Sequence, residues 1–388
     1  MTAILKFWSS LRLTVVTLTL AMGLVFIGTL AQVKIGLYQA QIDYFQSLFV
    51  WWGPAGSNWK IPVWPGGYLL GLVLLINLLA AHASRFKMSK KKIGIFVIHA
   101  GLIILFLGQF ATERLSVESN MVISEGSSKN YSENGRKSEL AIIETTDPKE
   151  DVVTSVPETW FGNNRELDRS ELPFTVKVQM FAPNAEPASK GSDLVFTPLP
   201  PATKMNDRNI PAAEVEVVDR KGKSLGKFEV SNWLSEDKLL SMVKEKLGER
   251  LSPAVFQRSE FKVDGRSFEL AMRPVRYYKP YVVQLLNFSH DRYAGTDIPK
   301  NYSSRIRLIN SQTREDREVL IYMNNPLRYG GETYYQASFL PGDTGTIFQV
   351  VKNPSWLTPY LACIMVSVGL LIQFLTHLIQ FIKKRRTA

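Results

Sequence analysis

The sequence contains very little cysteine and histidine. Its 388 residues include one cysteine, Cys363, and four histidines, so neither a disulfide framework nor a C-x-x-C thiol-exchange motif is possible. The motifs G-x-S-x-G, H-E-x-x-H, G-x-x-x-x-G-K-[ST] and G-x-G-x-x-G are also absent. These absences argue against the common hydrolase, metalloprotease, nucleotide-binding and thiol-oxidoreductase classes. Any large domain must therefore be stabilised by its own hydrophobic core.

Charge is absent from four long apolar segments. They cover residues 13–33, 65–84, 93–112 and 357–382. A helix of about 20 apolar residues, at ~1.5 Å rise per residue, crosses the ~30 Å hydrocarbon core of a bilayer. We therefore predict an integral membrane protein with four transmembrane α-helices. Its domains are residues 1–112 with three helices, residues 113–356 as an inserted domain, and residues 357–388 with the fourth helix and a basic tail.

Acidic residues are missing from the flanks of these helices, where eleven basic residues equal the whole formal net charge of +11. The basic residues are Lys6, Arg12, Arg85, Lys87, Lys90, Lys91, Lys92, Lys383, Lys384, Arg385 and Arg386. The positive-inside rule places these flanks and both termini in the cytoplasm, and the inserted domain outside it. The rest of the chain is neutral, so its basic charge does not indicate a nucleic-acid partner.

The first apolar segment has an alternative interpretation as a cleaved signal peptide. Thr29-Leu30-Ala31 resembles a small-x-small cleavage site. The apolar stretch is longer than the roughly 7–15 residues of a signal peptide, which favours a retained helix. Cleavage would leave the predicted orientation of the other three helices unchanged.

The predicted outer loop, residues 34–64, is rich in aromatic residues. Apolar positions within residues 38–52 follow helical spacing, which predicts an interfacial helix on the lipid bilayer. Trp-Gly-Pro and Trp-Pro-Gly-Gly, on either side of Lys60, predict turns. Several tryptophans of this loop fall near predicted helix ends, as in an aromatic interface belt.

Between residues 116 and 351 apolar residues alternate with polar ones, as in half-buried strands. The alternation is clearest at residues 175–180, 213–217 and 305–309. Asp264-Gly265 predicts a tight hairpin, and residues 219–222 predict a second turn. We therefore predict that the inserted extracytoplasmic domain is an antiparallel β structure, sandwich-like, with one or two helices.

Three further segments of this domain have distinct patterns. Residues 183–211 contain six prolines and are predicted to form a long loop. Residues 235–247 predict one short helix with Ser235 as its N-cap. His290 is expected in a solvated loop and not in a functional site, because a lone histidine does not easily build a zinc site or a catalytic triad.

The remaining three histidines lie in or beside the predicted membrane helices. His99 is seven residues past Lys92, and His377 is six residues before Lys383, which puts both about 10 Å into the bilayer. His82 is expected near the headgroups. An ionisable side chain at the depth of His99 and His377 is costly and usually faces a protein interior or a site.

Two interpretations of His99 remain open from the residues alone. A neutral imidazole can hydrogen-bond to a neighbouring helix or reach the interface. Alternatively, it can be an axial ligand of haem iron, which requires a neutral imidazole in an apolar slot. Gly94 and Ala100-Gly101 keep the nearby helix surface small, so that a flat macrocycle or another helix can approach.

Three stretches form longer motifs: FWSSLRLTVVTL at residues 7–18, KIGIFVIHAGLIILFLGQF at 92–110 and NNPLRYGGETYYQASF at 324–339. They resemble the ResB (CcsB) family of cytochrome c biogenesis, and the resemblance covers nearly the full chain. Residues 353–356, Asn-Pro-Ser-Trp, replace the Asp-Pro-Gly frequent in relatives. The tryptophan-rich motif of the family's partner subunit is absent, so the chain does not resemble a fused ResB–ResC protein.

The resemblance implies a multi-pass subunit of the System II haem-delivery complex in the bacterial cytoplasmic (inner) membrane. In that family haem b is a transported substrate that is attached to the reduced thiols of apocytochrome c. A ResC/CcsA-type membrane partner and thiol-reducing components of the pathway take part. The resemblance implies that His99 is an axial haem ligand and that the partner supplies the second ligand. His377, at equal depth, is an alternative second ligand.

Two functions are therefore predicted as alternatives. In the first, the chain binds haem within the membrane and assists its export and covalent attachment, as a non-catalytic or scaffold subunit of a holocytochrome c synthase complex. In the second, it is a structural or chaperone subunit whose outer β domain presents apocytochrome c while the partner alone handles haem. Solute transport is disfavoured because the predicted helices carry no charged side chains. Residues 324–339 predict a final β-hairpin, with substrate contact as the alternative role.

Overall fold

The computed structural model describes residues 3–54, 59–85, 92–204, 207–257, 259–296 and 299–386. The chain divides into two compact units. The first, the helical unit, comprises Met1–Val117, Thr203–Met205 and Lys352–Ala388. The second, the β unit, comprises Glu118–Ala202 and Asn206–Val351.

The α-helices of both units, in chain order, are α1 (Ala3–Trp8), α2 (Leu11–Ile35), α3 (Leu37–Ala40), α4 (Gly67–Arg85), α5 (Ile93–Leu115), α6 (Asn232–Ser235), α7 (Asp237–Leu247) and α8 (Thr358–Arg386). Helices α2, α4, α5 and α8 are long and apolar enough to cross a membrane. The prediction of four long apolar helices is therefore confirmed. Helix α5 continues beyond the predicted end at Thr112 and includes Glu113 and Arg114. Lys87, Lys90 and Lys91 of the predicted basic linker lie outside the described residues.

The predicted interfacial helix over residues 38–52 is wrong in its second half. Helix α3 continues as a π-helical turn, Gln41–Phe45, but the following aromatic residues form strand β1 (Phe49–Trp52). This strand pairs antiparallel with β2 (Ile61–Pro65), so Trp64-Pro65 ends a strand and is not a turn. Aromatic and β-branched side chains favour the extended conformation at these positions.

Asn77 connects α4 to the beginning of the chain. Its side-chain Nδ2 donates to Trp8 O at 2.6 Å and to Ser10 O at 3.1 Å. Its Oδ1 accepts from Thr14 Oγ1 at 2.7 Å. A buried amide in an apolar helix is costly unless its hydrogen bonds are made. These three bonds hold α4 against α1 and α2.

Helices α5 and α8 pack closely through a glycine seam. Three glycines of α5 are spaced seven residues apart: Gly94, Gly101 and Gly108. A Cβ atom at Gly94 would lie 2.7 Å from Gly369 O, and one at Gly101 would lie 3.0 Å from Ala362 O. Small residues let two helix backbones approach each other in lipid. The small surface predicted near His99 is therefore covered by a helix, which was one of the two alternatives.

The β unit is built from strands β3 to β18: β3 (Val117–Ser124), β4 (Ser128–Glu144), β5 (Val152–Pro157), β6 (Arg165–Asp168), β7 (Phe174–Ala182), β8 (Ala185–Lys190), β9 (Asp193–Pro198), β10 (Ala212–Asp219), β11 (Ser224–Ser231), β12 (Ser259–Val263), β13 (Arg266–Arg292), β14 (Pro299–Asn310), β15 (Glu315–Tyr322), β16 (Leu327–Tyr329), β17 (Glu332–Phe339) and β18 (Gly345–Lys352). The larger sheet has the order β15-β14-β13-β4-β3-β18-β17-β16, with β12 on β13 and β5 on β4. A second sheet has the order β11-β10-β7-β6, and β8 pairs with β9. The prediction of a large antiparallel β domain is confirmed.

Hydrophobic clusters hold the β unit together. One cluster lies between the second sheet and the β12-β13-β4-β5 part of the larger sheet, where the rings of Phe174, Phe261 and Phe268 have centroids 4.9–5.7 Å apart. Another is formed by side chains from the remaining part of the larger sheet. A further cluster includes Val243 of α7 and Phe196 of β9. Two sheets thus share a core, as in a sandwich.

The strands predicted from alternation are present. Residues 175–180 lie in β7, 213–217 in β10 and 305–309 in β14. Asp264 and Gly265 connect β12 to β13 with φ angles of 50° and 76°, as a type I′ hairpin turn requires. The second predicted turn, at residues 219–222, connects β10 to β11.

Two other local predictions need correction, one for a loop and one for a helix N-cap. The proline-containing segment 183–211 is not a loop throughout, because it contains the β8–β9 hairpin. Pro187 is tolerated there because β8 pairs only with β9 among the described strands. The helix predicted over residues 235–247 is present as α7, Asp237–Leu247, but its N-cap is Glu236 and not Ser235. The short helix α6 precedes it, and Ser231 caps α6 by accepting a hydrogen bond from Trp233 N at 3.2 Å.

His290 lies on strand β13 and not in a solvated loop, which corrects the prediction. Its side chain is only 3% exposed, and Nδ1 is 2.8 Å from Asp343 Oδ1. Its ring centroid lies 4.4 Å from that of Phe339. Both contacting residues are about fifty positions away in the chain, so the neighbours of His290 in the sequence gave no sign of its burial.

Candidate functional site

Helices α4 and α5 bring two histidines into contact. The ring centroids of His82 and His99 are 5.0 Å apart, and the ring planes meet at 66°. The ring of Phe96, on α5, lies 5.6 Å from that of His82. We call these three side chains the histidine cluster. Two of the long apolar helices therefore place two imidazoles in direct edge-to-face contact.

The hydrogen bond of His82 fixes its tautomer when the ring is neutral. Its Nδ1 lies 3.1 Å from Leu78 O, one turn earlier on α4. A carbonyl oxygen only accepts, so Nδ1 carries the proton in this arrangement. The lone pair of the neutral ring is then on Nε2.

One ring nitrogen of His99 makes no hydrogen bond to the part of the chain that the structure describes. Its Nδ1 is buried and has no hydrogen-bond partner among the described residues. Leaving a buried polar atom unpaired costs about 1–3 kcal/mol, so this atom needs an explanation beyond packing. At 3.6 residues per turn, His99 lies about 160° around α5 from Gly101. The imidazole therefore points away from the glycine seam with α8.

These properties fit the requirements of a haem ligand. Iron ligation by histidine needs a neutral imidazole in apolar, partly water-excluded surroundings. His99 is half-buried in a span of apolar residues, and it has an unpartnered nitrogen. The surroundings of His99 are therefore compatible with axial ligation of haem iron.

His377 occupies a different environment. It is exposed on α8, and its Nε2 lies 2.7 Å from Gln373 Nε2, one turn earlier in the same helix. Gln373 in turn lies against Gly94 in the glycine seam. The structure places His82 beside His99, and gives His377 a partner on its own helix. The hypothesis that His377 is the second ligand stays a prediction without geometric support.

Sequence reasoning did not identify His82 as a member of the cluster. Its predicted position at the headgroups made it the least interesting of the three membrane histidines. A usable signal was present, because His82 and His99 flank the same short linker between two consecutive helices. Consecutive helices joined by a short connection are usually antiparallel neighbours, and residues near the linker then lie at similar depth.

The third sequence motif, residues 324–339, forms the β16–β17 hairpin. Its Gly330-Gly331 turn has φ angles of 59° and 77°, which favour glycine. Glu332, at the start of β17, accepts a hydrogen bond from Lys279 Nζ and bonds at 3.0 Å from Tyr281 Oη and Tyr334 Oη. Burial raises the pKa of both phenols. The motif's polar residues therefore hold β17 within the β unit.

Comparison with known proteins gives two similarities. The ResB-like family model matches residues 252–347 of the chain, a range that includes the β16–β17 hairpin. Protein NrfI of Wolinella succinogenes is 30% identical over 115 residues. That match covers 30% of this chain and 13% of NrfI, so the chain corresponds to a small part of that longer protein.

Proposed function

We propose that this chain, whose residues 252–347 match the ResB-like family model, is a ResB-like membrane subunit of cytochrome c biogenesis. In this proposal it binds haem within the cytoplasmic membrane and assists haem export and attachment to apocytochrome c. The observation that carries the proposal is the buried nitrogen of His99, which lies beside His82 and has no hydrogen-bond partner among the residues that the structure describes. The family match supports the resemblance noted in the sequence motifs.

The contact between the two imidazoles argues against a haem held between His82 and His99. At 5.0 Å between ring centroids, the rings touch and a macrocycle does not fit between them. We therefore assign one axial ligand, His99, to this chain and the second to the ResC/CcsA-type partner. His82 is a positioning residue in this proposal, because its ring packs against His99 and restricts the orientation of the imidazole.

The residues of this chain bind, orient and shield the substrate. His99 supplies a neutral nitrogen, and Phe96 with the apolar faces of α4 and α5 limits the access of water. Haem supplies the groups that react with the thiols of apocytochrome c, while protein around such a cofactor contributes binding and orientation. No residue of this chain is assigned a proton-transfer or nucleophilic role.

The charge distribution supports the proposed orientation. The basic flanks at Lys6, Arg12 and residues 383–386 place both termini on the cytoplasmic side by the positive-inside rule. The β unit then lies on the extracytoplasmic side, where apocytochrome c and the thiol-reducing components act. Cysteines introduced into the β unit and labelled by a membrane-impermeant maleimide in intact cells test this orientation.

The experiment that tests haem binding uses aromatic replacements. His99→Phe, His82→Phe and the matched control His377→Phe each keep a ring of similar size and remove the ligating nitrogens. Each variant is co-expressed with its partner subunit, purified, and measured for haem absorbance per protein and for cytochrome c yield. We expect His99→Phe to lose both, His82→Phe to retain part, and His377→Phe to match the wild type. Unchanged absorbance and yield in His99→Phe would remove the ligand assignment.

The alternative is that the β unit presents apocytochrome c while the partner alone handles haem. The observation in its favour is a cleft of about 1140 Å³ within the β unit. This function predicts that all three histidine variants keep their haem and that replacements in the cleft reduce cytochrome binding. The two functions are compatible if both sets of variants are defective.

A further inference from the structure

The cleft in the β unit has two different sides. Strands β4, β5 and β13 form one side, and the end of β11 with α6, α7 and the 3₁₀ turn Pro253–Phe256 forms the other. Small-molecule pockets typically occupy about 300–1,000 Å³, and this cleft has about 1140 Å³. Its volume is therefore sufficient for several side chains of a polypeptide.

The arginines of the cleft are already neutralised by carboxylates of this chain. Arg273 Nε lies 3.1 Å from Glu139 Oε1, and the two side chains are only 6% and 5% exposed. Arg276 Nε lies 3.0 Å from Glu133 Oε1. Removing one partner of such a buried pair is strongly unfavourable, so an incoming anion cannot displace these carboxylates cheaply. The cleft is therefore poorly suited to an anionic ligand.

Glu229, near the end of β11, is a cleft carboxylate that differs from Glu139 and Glu133 in its bonding. Its Oε2 is buried and has no hydrogen-bond partner among the described residues. Glu214 lies directly opposite on β10. Burial, followed by the charge of Glu214, raises the pKa of Glu229 to about 7. Like charges opposite each other on adjacent strands are destabilising, so the favourable partner for Glu229 is a cation.

Other groups of the cleft suit the positive charge and the aliphatic stem of a basic side chain. The exposed carboxylates of Asp151 and Asp237 also line it and add negative potential that attracts a cation. Partly buried apolar side chains complete the walls: Leu234, Leu240, Val255 and Phe256. Such surfaces accept the aliphatic stem of lysine or arginine.

A metal ion is a weaker candidate for the same position. In the described ranges, no group of three or more His, Cys, Asp or Glu side chains is placed to hold a metal. A divalent cation prefers several oxygen ligands at short range. An ammonium or guanidinium group, in contrast, needs only a carboxylate and an apolar wall for its stem.

We propose that this cleft binds an unfolded polypeptide segment whose lysine or arginine side chain pairs with Glu229. Apolar side chains on either side of the basic residue pack against Leu234, Leu240 and Phe256. The identification of this polypeptide with apocytochrome c rests on the proposed function. The preference for a basic side chain rests on the cleft alone.

The test uses the full chain in lipid nanodiscs and a labelled peptide with one lysine flanked by leucines. A second peptide has glutamine in place of the lysine, and spermidine serves as a free polyamine. The protein variants are Glu229→Gln and the matched control Glu318→Gln, which changes an exposed glutamate on β15. Glu229→Gln keeps the side-chain shape and removes a repulsion, so we expect it to fold.

We expect the wild type and Glu318→Gln to bind the lysine peptide at least about tenfold more tightly than Glu229→Gln does, a difference of about 1.4 kcal/mol. The glutamine peptide should bind weakly and equally to all three proteins. Equal binding of the two peptides, or unchanged binding by Glu229→Gln, would overturn the proposal. Spermidine binding as tight as that of the lysine peptide would assign the cleft to a free polyamine and would also overturn it.

Haem absorbance of the same variants, each co-purified with the partner subunit, separates this proposal from the proposed function. A Glu229→Gln protein with normal haem content and no peptide preference supports the cleft assignment and leaves haem ligation untouched. A His99→Phe protein that keeps its haem but prefers the lysine peptide contradicts only haem ligation. The two failures are therefore distinguishable.

Discussion

Glu229 should make the β unit less stable as the pH rises, and Glu229→Gln should remove this dependence. The pKa of Glu229 is raised to about 7 in the folded protein, against an ordinary value of 4.5. Between these two values the folded state binds more protons than the unfolded state does. Stability therefore falls as the pH rises from 4.5 through about 7. Burial is the main cause, and Glu214 adds to it.

The size of the effect follows from the difference between the two pKa values. At about 1.4 kcal/mol per pKa unit, the full shift corresponds to about 3 kcal/mol above neutral pH. The Glu229 side chain keeps some contact with solvent, which screens the interaction, so we expect about 2 kcal/mol. Below the ordinary pKa the carboxyl is protonated in both states, and the substitution should have almost no effect.

The assay is the thermal unfolding transition of the β unit in the full chain. For a domain of about 200 residues, 1 kcal/mol shifts Tm by about 2–4 °C. Glu229→Gln should therefore raise Tm by about 4–8 °C near pH 8 and by less than about 2 °C near pH 5. The control Glu318→Gln should change Tm little at either pH. A Glu229→Gln protein with a lower Tm near pH 8, or with the same shift at both pH values, would refute the reasoning.

Substitutions at three further positions test packing within the β unit and within the helical unit. Glu332→Gln removes the negative charge that pairs with the buried Lys279. It should lower the free energy of unfolding of the β unit by about 3–5 kcal/mol in urea denaturation. A loss under about 1 kcal/mol would contradict the buried network. Gly101→Leu forces a side chain against Ala362. It should lower the unfolding temperature of the helical unit in detergent more than Gly101→Ala does. Equal effects of the two substitutions would argue against the glycine seam. Asn77→Leu removes the donor to two carbonyls and should cost about 1–2 kcal/mol in detergent-denaturation titrations, and a stabilised variant would contradict the anchoring role.

The parts of the fold that depend on local patterns could be predicted from the sequence. Four long segments without charged residues identified the apolar helices, because a helix needs a minimum number of apolar residues to cross a bilayer. Alternation identified the strands near residues 175, 213 and 305, because one face of each is buried. Asp264-Gly265 identified its hairpin because few residue pairs accept two positive φ angles.

The parts that depend on distant partners could not be predicted. His290 was expected in solvent because Asp343 and Phe339, which bury it, are far away in the chain. The contact between His82 and His99 depends on the rotation of α4 against α5, which no local pattern encodes. The β8–β9 hairpin was hidden by prolines, since proline statistics do not distinguish a loop from a short edge strand.

The charge arrangement of the cleft was also invisible in the sequence. Glu229 belongs to an ordinary alternating strand, and its neighbours suggest a solvated glutamate. Its burial and its position opposite Glu214 follow from the β10–β11 register, which depends on the turn between those strands. Pairing registers of this kind decide which carboxylates meet, and composition alone does not fix them.

The most direct test of the central claim is the visible spectrum of the purified complex of this chain and its partner, compared between wild type and His99→Cys. Thiolate is also an axial ligand of haem iron, with different electronic properties from imidazole. If His99 binds the iron, the Soret band of His99→Cys should shift or disappear while His377→Cys keeps the wild-type spectrum. A His99→Cys spectrum identical to that of the wild type, at the same haem content, would contradict haem ligation by this chain.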